Sequence, residues 1–326
     1  MRVMIRLARA AVAATACVLA GGAQGQTQAW PTRPVTLVVP FAPGVSSDVM
    51  ARGMAEYLGR ELGQNVIVEN KGGAGGNIGA ASVARSTPDG YTFLFATTGQ
   101  AATNKLMYKR LNYDSDKDLS PIILLGKLPV IVAAKKDGRF KTMKDMVDYA
   151  KANPGKLSVA FPGNGTLGHI TGLLFAKTAG ISMNAVQYTG TGQIITDVVG
   201  GHVDAAMDSA GGYVGAVQGG QMVALALASS GRFPPMPDAP TVSEAALPGF
   251  EASVWYALLA PAGTPADIVA KLNAAVNKYL KSDTGKGQFD KLGVVISGGT
   301  PEELKAFIAA EQAKWGPVIA ENKIEF

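Results

Sequence analysis

From Pro34 onward, short runs of β-branched and other apolar residues alternate with segments whose apolar positions recur every three to four residues. That pattern predicts an α/β protein, with helices covering largely parallel sheets. Pro34 to Pro40 predicts a strand, and Ser47 to Leu62 a helix with Met50, Met54, Tyr57, Leu58 and Leu62 on one face. Val66 to Val68 and Tyr91 to Ala96 predict two further strands, separated by a short helix over Asn77 to Arg85 and by the Pro88-Asp89-Gly90 turn. Together they make a βαβαβ half. An apolar run from Ile122 to Ala134 is long enough to cross out of it.

A second alternating series follows. Thr142 with Asp145 three residues on marks a helix start, Asn153-Pro154-Gly155 breaks that helix, and Leu157 to Phe161 reads as a strand. Helices over Thr166 to Thr178 and Gln193 to Val199 then alternate with strands over Ala185 to Tyr188, Val203 to Met207 and Val223 to Ala228. The proline-rich segment Phe233 to Pro240 and the Leu247-Pro248-Gly249 turn separate this series from a last apolar run, Val254 to Leu259. Thr264-Pro265-Ala266-Asp267 and Thr300-Pro301-Glu302-Glu303 each offer a capping threonine, proline at the first helical position and an acid in the first turn. Leu304, Phe307, Ile308, Trp315 and Val318 share one face of the final helix. With few strands of their own, these helices are expected to fold back onto the first half. The expected division is residues 26–127 plus 251–326 as one discontinuous domain and 128–250 as the other.

The first 25 residues have a different chemistry. Arg2, Arg6 and Arg9 precede an apolar stretch from Ala10 to Ala20 and a small-residue run ending Ala23-Gln24-Gly25, the layout of a signal peptide over residues 1–25. The apolar stretch is too short for a membrane span. Cys17, the only cysteine, falls within it, and Ala14 stands where a lipidation signal would have leucine. The exported chain would then carry no thiol, which excludes a disulfide framework or a cysteine metal site. Removing three arginines from a formal charge of +5 leaves +2, with charges spread along the chain, so a dedicated nucleic-acid binder is not expected. Hydrophobic residues at 47% and charged residues at 17% also exclude a disordered chain.

Ligands of open α/β sheets sit beyond the carboxyl ends of the strands, so the strand-to-helix loops are where chemistry is to be sought. Three are rich in small and hydroxyl residues: Pro40 to Asp48, Thr97 to Gln100, and Pro162 to Thr166. Their N–H and hydroxyl groups suit an anion. Gly163, Gly165 and Gly168 match G-x-G-x-x-G, yet no acid for a ribose occurs between Gly168 and Thr196, which argues against a dinucleotide. His169 and His202 lack ligand-spaced partners, and no G-x-S-x-G or H-E-x-x-H occurs, so neither cofactor nor metal is expected. Asp208 with His169 is the sole pair that could be nominated for acid–base catalysis. His169 reads equally as a cleft donor or as a structural helix residue. Lys and Arg are almost absent from the loops, so neutral dipoles are expected to hold an acidic ligand. Ser46 and Ser47 could either cap their helix or reach that ligand.

Several stretches in fixed order carry a resemblance: PVTLVVPFAPGVSSDVMAR, GQNVIVENKGGAGGNIGA, PDGYTFLFAT, PGNGTLGH, DAPTVSEAALPGFEASVWYALLAPAGTP and GGTPEEL. From about Trp30 to the C-terminal helix, the chain resembles the Bug-type substrate-binding proteins of tripartite tricarboxylate transporters. The resemblance implies a two-domain type II periplasmic binding protein fold, with a ligand cleft between the lobes. It also implies a periplasmic monomer that binds a small carboxylate and delivers it to membrane permease subunits. Carried over by position, the ligand-binding residues are Phe41, Ala42, Gly44, Val45, Ser46 and Ser47 in the first loop. In the second lobe they are Gly163, Asn164, Thr166 and His169. Thr97, Thr98, Tyr188, Thr189 and Asp208 are weaker transfers. Ala42-Pro43-Gly44-Val45-Ser46-Ser47 stands where the family often has a glycine run, and Gln187-Tyr188-Thr189-Gly190 where Pro-Tyr-Lys-Gly is common. Those departures keep ligand identity from being copied; an aliphatic or aromatic dicarboxylate is expected. An exported enzyme acting on a small acid, or a ligand-binding component of a sensory system, shares these features.

Overall fold

A computed structural model describes residues 30–163, 166–188 and 190–326. The expected signal peptide, with Cys17, and the site positions Asn164 and Thr189 lie outside the described residues. β1 (Val35–Val39) runs parallel to β2 (Val66–Asn70) on one side and to β3 (Thr92–Thr97) on the other. Two crossover helices, α1 (Ser46–Leu62) and α2 (Asn77–Ala84), connect them. The expected βαβαβ half is therefore present, with Val35, Leu37 and Val39 packed against Met50, Met54 and Leu58 of α1.

β4 (Leu119–Lys135) is a single 17-residue strand that serves two sheet regions. Its first part pairs antiparallel with β9 (Ser253–Pro261) and β10 (Val295–Gly298), and its last part, from Val130, with β7 (Ala205–Ser209) and β8 (Met222–Leu227). β7 is parallel to β5 (Leu157–Phe161), which is parallel to β6 (Met183–Gln187). The result is a ten-stranded curled sheet serving the two lobes of the α/β fold. It is not largely parallel as the alternating pattern suggested, because β4 runs antiparallel to β7, β8, β9 and β10 and β3 runs antiparallel to β9, leaving parallel pairing to β1–β3 and β5–β7. Where β4 changes partners, Val130 N–H donates to Ala252 O and Ala228 N–H donates to Val130 O, so the second passage lies beside the first.

Several local signals act as expected. Thr142 Oγ1 accepts from Asp145 N, and the Asp145 carboxylate accepts from Thr142 N, which starts α4 (Met143–Ala152). Such caps contribute about 0.5–2 kcal/mol. Thr300 and Glu303 make the same reciprocal pair at α11 (Pro301–Glu321), with Pro301 in the first turn. Thr264 does not cap. Its hydroxyl donates to Pro261 O, Pro265 is the N-cap, and α9 (Ala266–Lys281) begins one residue later than its sequence suggests.

α9 and α10 (Asp283–Lys291) do cover the first lobe. Lys278 pairs with Glu61 of α1, and Gln288 Nε2 donates to Val49 O. α11 departs from the expectation that all the last helices stay there. Leu304 packs with first-lobe residues, whereas Trp315, Val318 and Ile319 join a cluster containing Phe161 and Phe175 of the second. Its apolar face is long enough to be divided between the two lobes, and Lys177 of α5 (Leu167–Ala179) pairs with Glu321 near its end.

Candidate functional site

β1 ends at Val39, and the chain turns through Phe41 to Val45 into α1. Gly44 adopts φ +88°, a conformation that disfavours a side chain. Asp48, in the first turn and 2% exposed, fixes the loop: Oδ2 accepts from Gly44 N (2.8 Å) and Arg52 Nε, and Oδ1 accepts from Asn70 Nδ2 (2.9 Å). Asn70 also donates to Phe41 O. Burial pushes the Asp48 pKa up, but Arg52, Gly44 N–H and Asn70 outweigh it and hold the carboxyl below its ordinary value. Val45 is the N-cap of α1, and no side chain caps the helix, which answers the capping alternative for Ser46 and Ser47. Ala42, Gly44, Val45 and Ser46 are exposed, and Ser47 is buried. No side chain caps the first-turn N–H groups, while the ionised Asp48 carboxylate in the same turn complements the positive end of the helix dipole.

Beyond β3 the chain makes one wide turn, Gly99–Thr103, and a short helix α3 (Asn104–Met107). Thr97 N and Oγ1 both donate to Gln100 Oε1 at 2.9 Å, and Gln100 Nε2 donates to Gly75 O at 2.7 Å. Asn104 Nδ2 reaches Gly75 O and Asn77 Oδ1, and Tyr113 OH donates to Gln100 O. Thr98 Oγ1 accepts from Trp255 N of β9. This network ties the end of β3 and the turn after it to the loop beyond β2 and to β9.

In the second lobe, β5 leads through Gly163 (φ +128°) to Thr166, whose hydroxyl donates to Gly163 O and accepts from His169 N as the cap of α5. His169 is buried with its ring edge-on to Phe161, 5.4 Å between centroids, and burial pushes the imidazole below its ordinary pKa. Gly168 lets α5 lie close against β7: a Cβ there would stand 2.6 Å from Met207 O. The last glycine of G-x-G-x-x-G thus serves helix–strand packing. Asp208, 4% exposed at the end of β7, accepts from Ser209 N (2.6 Å), Thr191 Oγ1 (2.7 Å) and Tyr213 OH (3.4 Å). Burial raises its pKa, and those three donors offset only part of the rise. Thr191 opens α6 (Thr191–Gly200), another helix without a side-chain cap. Tyr188 OH donates to Asp197 of that helix at 2.6 Å, so the hydroxyl serves the α6 side of its loop. Its pKa is pushed up to about 12 by burial and by Asp197.

A cavity of about 230 Å³ lies among these strand ends. It brings Phe41, Thr97 and Thr98 of the first lobe to Thr166 of the second, with Gly75, Gln100 and Asn104 beside them. Met107, Tyr108, Leu167, Val254 and Phe326 supply an apolar side. No lysine, arginine, aspartate or glutamate is in its lining. Ala42, Gly44, Val45, Ser46, Ser47, Gly163, His169, Tyr188 and Asp208 stand on adjoining loops and do not line it. Gln100 was legible as the polar end of the Thr97 to Gln100 loop; Tyr108 and Phe326 carry no local signal, because only folding brings them there. Larger depressions of about 530 and 390 Å³ flank Gln218 and Pro235, away from the parallel-strand ends where α/β folds take ligands. Among the described residues no group of three or more acidic, histidine or cysteine side chains could hold a metal, and no helix could cross a membrane.

The family model described as tripartite tricarboxylate transporter family receptor matches residues 50–324. Protein BugT of Bordetella pertussis is 34% identical over 90% of this chain and 90% of its own length. Among solved structures, Rpa4515 of R. palustris with adipate is 35% identical, with TM-score 0.78 over 89% of this chain and 97% of that one. MatC of Rhodopseudomonas palustris with bound malate is 35% identical, with TM-score 0.75 over 89% of this chain and all of that one.

Proposed function

We infer, from the premise that this chain belongs to the tripartite tricarboxylate transporter receptor family, that it captures a small dicarboxylate between its lobes and delivers it to the permease subunits of such a transporter. Adipate and malate bound to its neighbours support a carboxylate ligand. One observation of this chain carries the reading furthest: an interlobe cavity with hydroxyl, amide and backbone groups in its wall and no charged side chain. Such hydroxyl, amide and backbone groups can hold an acid by hydrogen bonds without an arginine clamp, with the N-termini of α1 and α5 beside the cavity.

In this reading the periplasmic chain is a transport receptor. The lobes, residues 26–127 with 251–326 and residues 128–250, apart from the end of α11 that packs on the second, close on the ligand. Phe41 of the first loop and Thr166 of the second face it across the cavity beside Thr97 and Thr98. Ala42 to Ser47, Gly163, His169, Tyr188 and Asp208 stand on the adjoining loops that closure brings toward it, with Asn164 and Thr189 assigned by sequence position alone. Thermal melting with malate, adipate and an aromatic diacid such as phthalate tests the ligand class. At 100 times its dissociation constant, a ligand stabilises the native state by about 2.7 kcal/mol. A melting temperature that no carboxylate raises would sink the reading.

A further inference from the structure

We propose that Phe326 and Tyr108 form an aromatic back wall that sets the length of ligand the cavity accepts, selecting acids whose hydrocarbon chain ends against those rings. The proposal rests on the carboxylate reading above and names the residues that would discriminate among such acids. After α11 the chain turns back, and Phe326 pairs with the end of α3: its N–H donates to Met107 O, and Lys109 N–H donates to Phe326 O. Glu325 pairs with Lys109, and the Phe326 and Tyr108 rings lie 5.2 Å apart in a tilted stack. Two main-chain hydrogen bonds, an ion pair and a ring contact therefore hold one side chain in the lining.

The wall behind it is apolar in a contiguous way. Met107 and Leu167 belong to one buried cluster against which Tyr108 and Val254 pack. The hydrogen-bonded groups are linked to each other through Gly75, Gln100 and Asn104 instead. A ligand with one polar and one apolar end therefore has a single favourable orientation, carboxylate toward the threonines and chain toward Phe326. Phe326 is still 45% exposed, so trimming it enlarges the cavity without emptying a core.

The test is calorimetric titration of wild type, Phe326→Ala and Phe326→Leu with linear monoacids from butyrate to octanoate, whose chain ends are apolar, beside malate and adipate as reference diacids. Wild type that binds a diacid but no monoacid overturns the back wall. Wild type should show a preferred length, and Phe326→Ala should move it longer, with affinity ratios changing about fourfold for each methylene newly accommodated. Phe326→Leu should shift the same way by less, which also serves if the alanine variant fails to fold. An identical length preference in folded variants that still bind overturns the back wall and leaves the carboxylate reading standing. Failure of every acid to bind wild type overturns both.

Discussion

Asp208 is a carboxyl held out of water by neutral donors: the Ser209 N–H and the hydroxyls of Thr191 and Tyr213. Because burial raises its pKa, the folded protein holds that proton more tightly than the unfolded chain does. Its contribution to stability is therefore greatest below the ordinary value of 3.8 and is lost as pH rises through the raised one. Asp208→Asn should remove that loss, so wild type should weaken relative to the variant as pH rises from about 4 through the raised pKa. Melting curves across that window check it, and a pH-independent difference would contradict the assignment. Ser46 stands differently, exposed in the first turn of an uncapped helix. Ser46→Asp suits the helix dipole but places a like charge where the carboxylate is proposed to sit. Binding of the best acid should weaken at least about tenfold, or 1.4 kcal/mol, with melting temperature unchanged or raised. Unchanged affinity would remove this loop from the site.

At the scale of elements, α5 shows how a sequence motif takes its meaning from packing. Gly168 and Gly172 lie one turn apart on the face against the sheet, where a Cβ would approach Met207 O to 2.6 Å and Phe161 Cε1 to 2.4 Å. Gly168→Ala must push the helix away from β7 and with it Thr166 and His169. Because the atom met is backbone, about 1–3 kcal/mol of stability should be lost. Ligand affinity should fall with it; chemical denaturation and titration of the variant check both, and full stability would refute the close contact. Strand β5 and the Thr142 and Thr300 caps were readable because each depends on residues within a few positions of one another. The Thr264 start was misplaced because Pro261 O, at the end of β9, takes the hydroxyl that the local pattern assigns to a cap. β10 escaped notice: four residues with two glycines nearby carry little strand signal until β4 pairs with them.

Across the whole molecule, the passage between lobes is tied to α11 by one carboxylate. Glu311 is 5% exposed; its Oε2 accepts from Trp255 Nε1 of β9 (3.1 Å) and Trp315 Nε1 (3.0 Å), and Lys314 pairs with Oε1. Trp255 N–H in turn donates to Thr98 in the cavity wall. Glu311→Ala strands two buried indole donors and should cost about 2–6 kcal/mol, one to three for each. It should also change tryptophan emission, since Trp255 and Trp315 both lose a charged neighbour; unaltered emission and stability would argue against the network. Small-angle scattering should show the proposed closure as compaction with ligand, and an unchanged profile would speak for rigid lobes. Periodicity, turns and caps in the sequence were enough to determine the alternating elements, the α/β class and the donor-rich loops at strand ends, because those follow from interactions along a short stretch of chain. Only the tertiary structure decided that β4 exchanges partners at Val130, that α11 passes onto the second lobe, and that Phe326 reaches the cavity across more than two hundred residues from Tyr108. Each of these depends on apolar surfaces distant in sequence finding one another, and no local pattern specifies which of several such surfaces will meet.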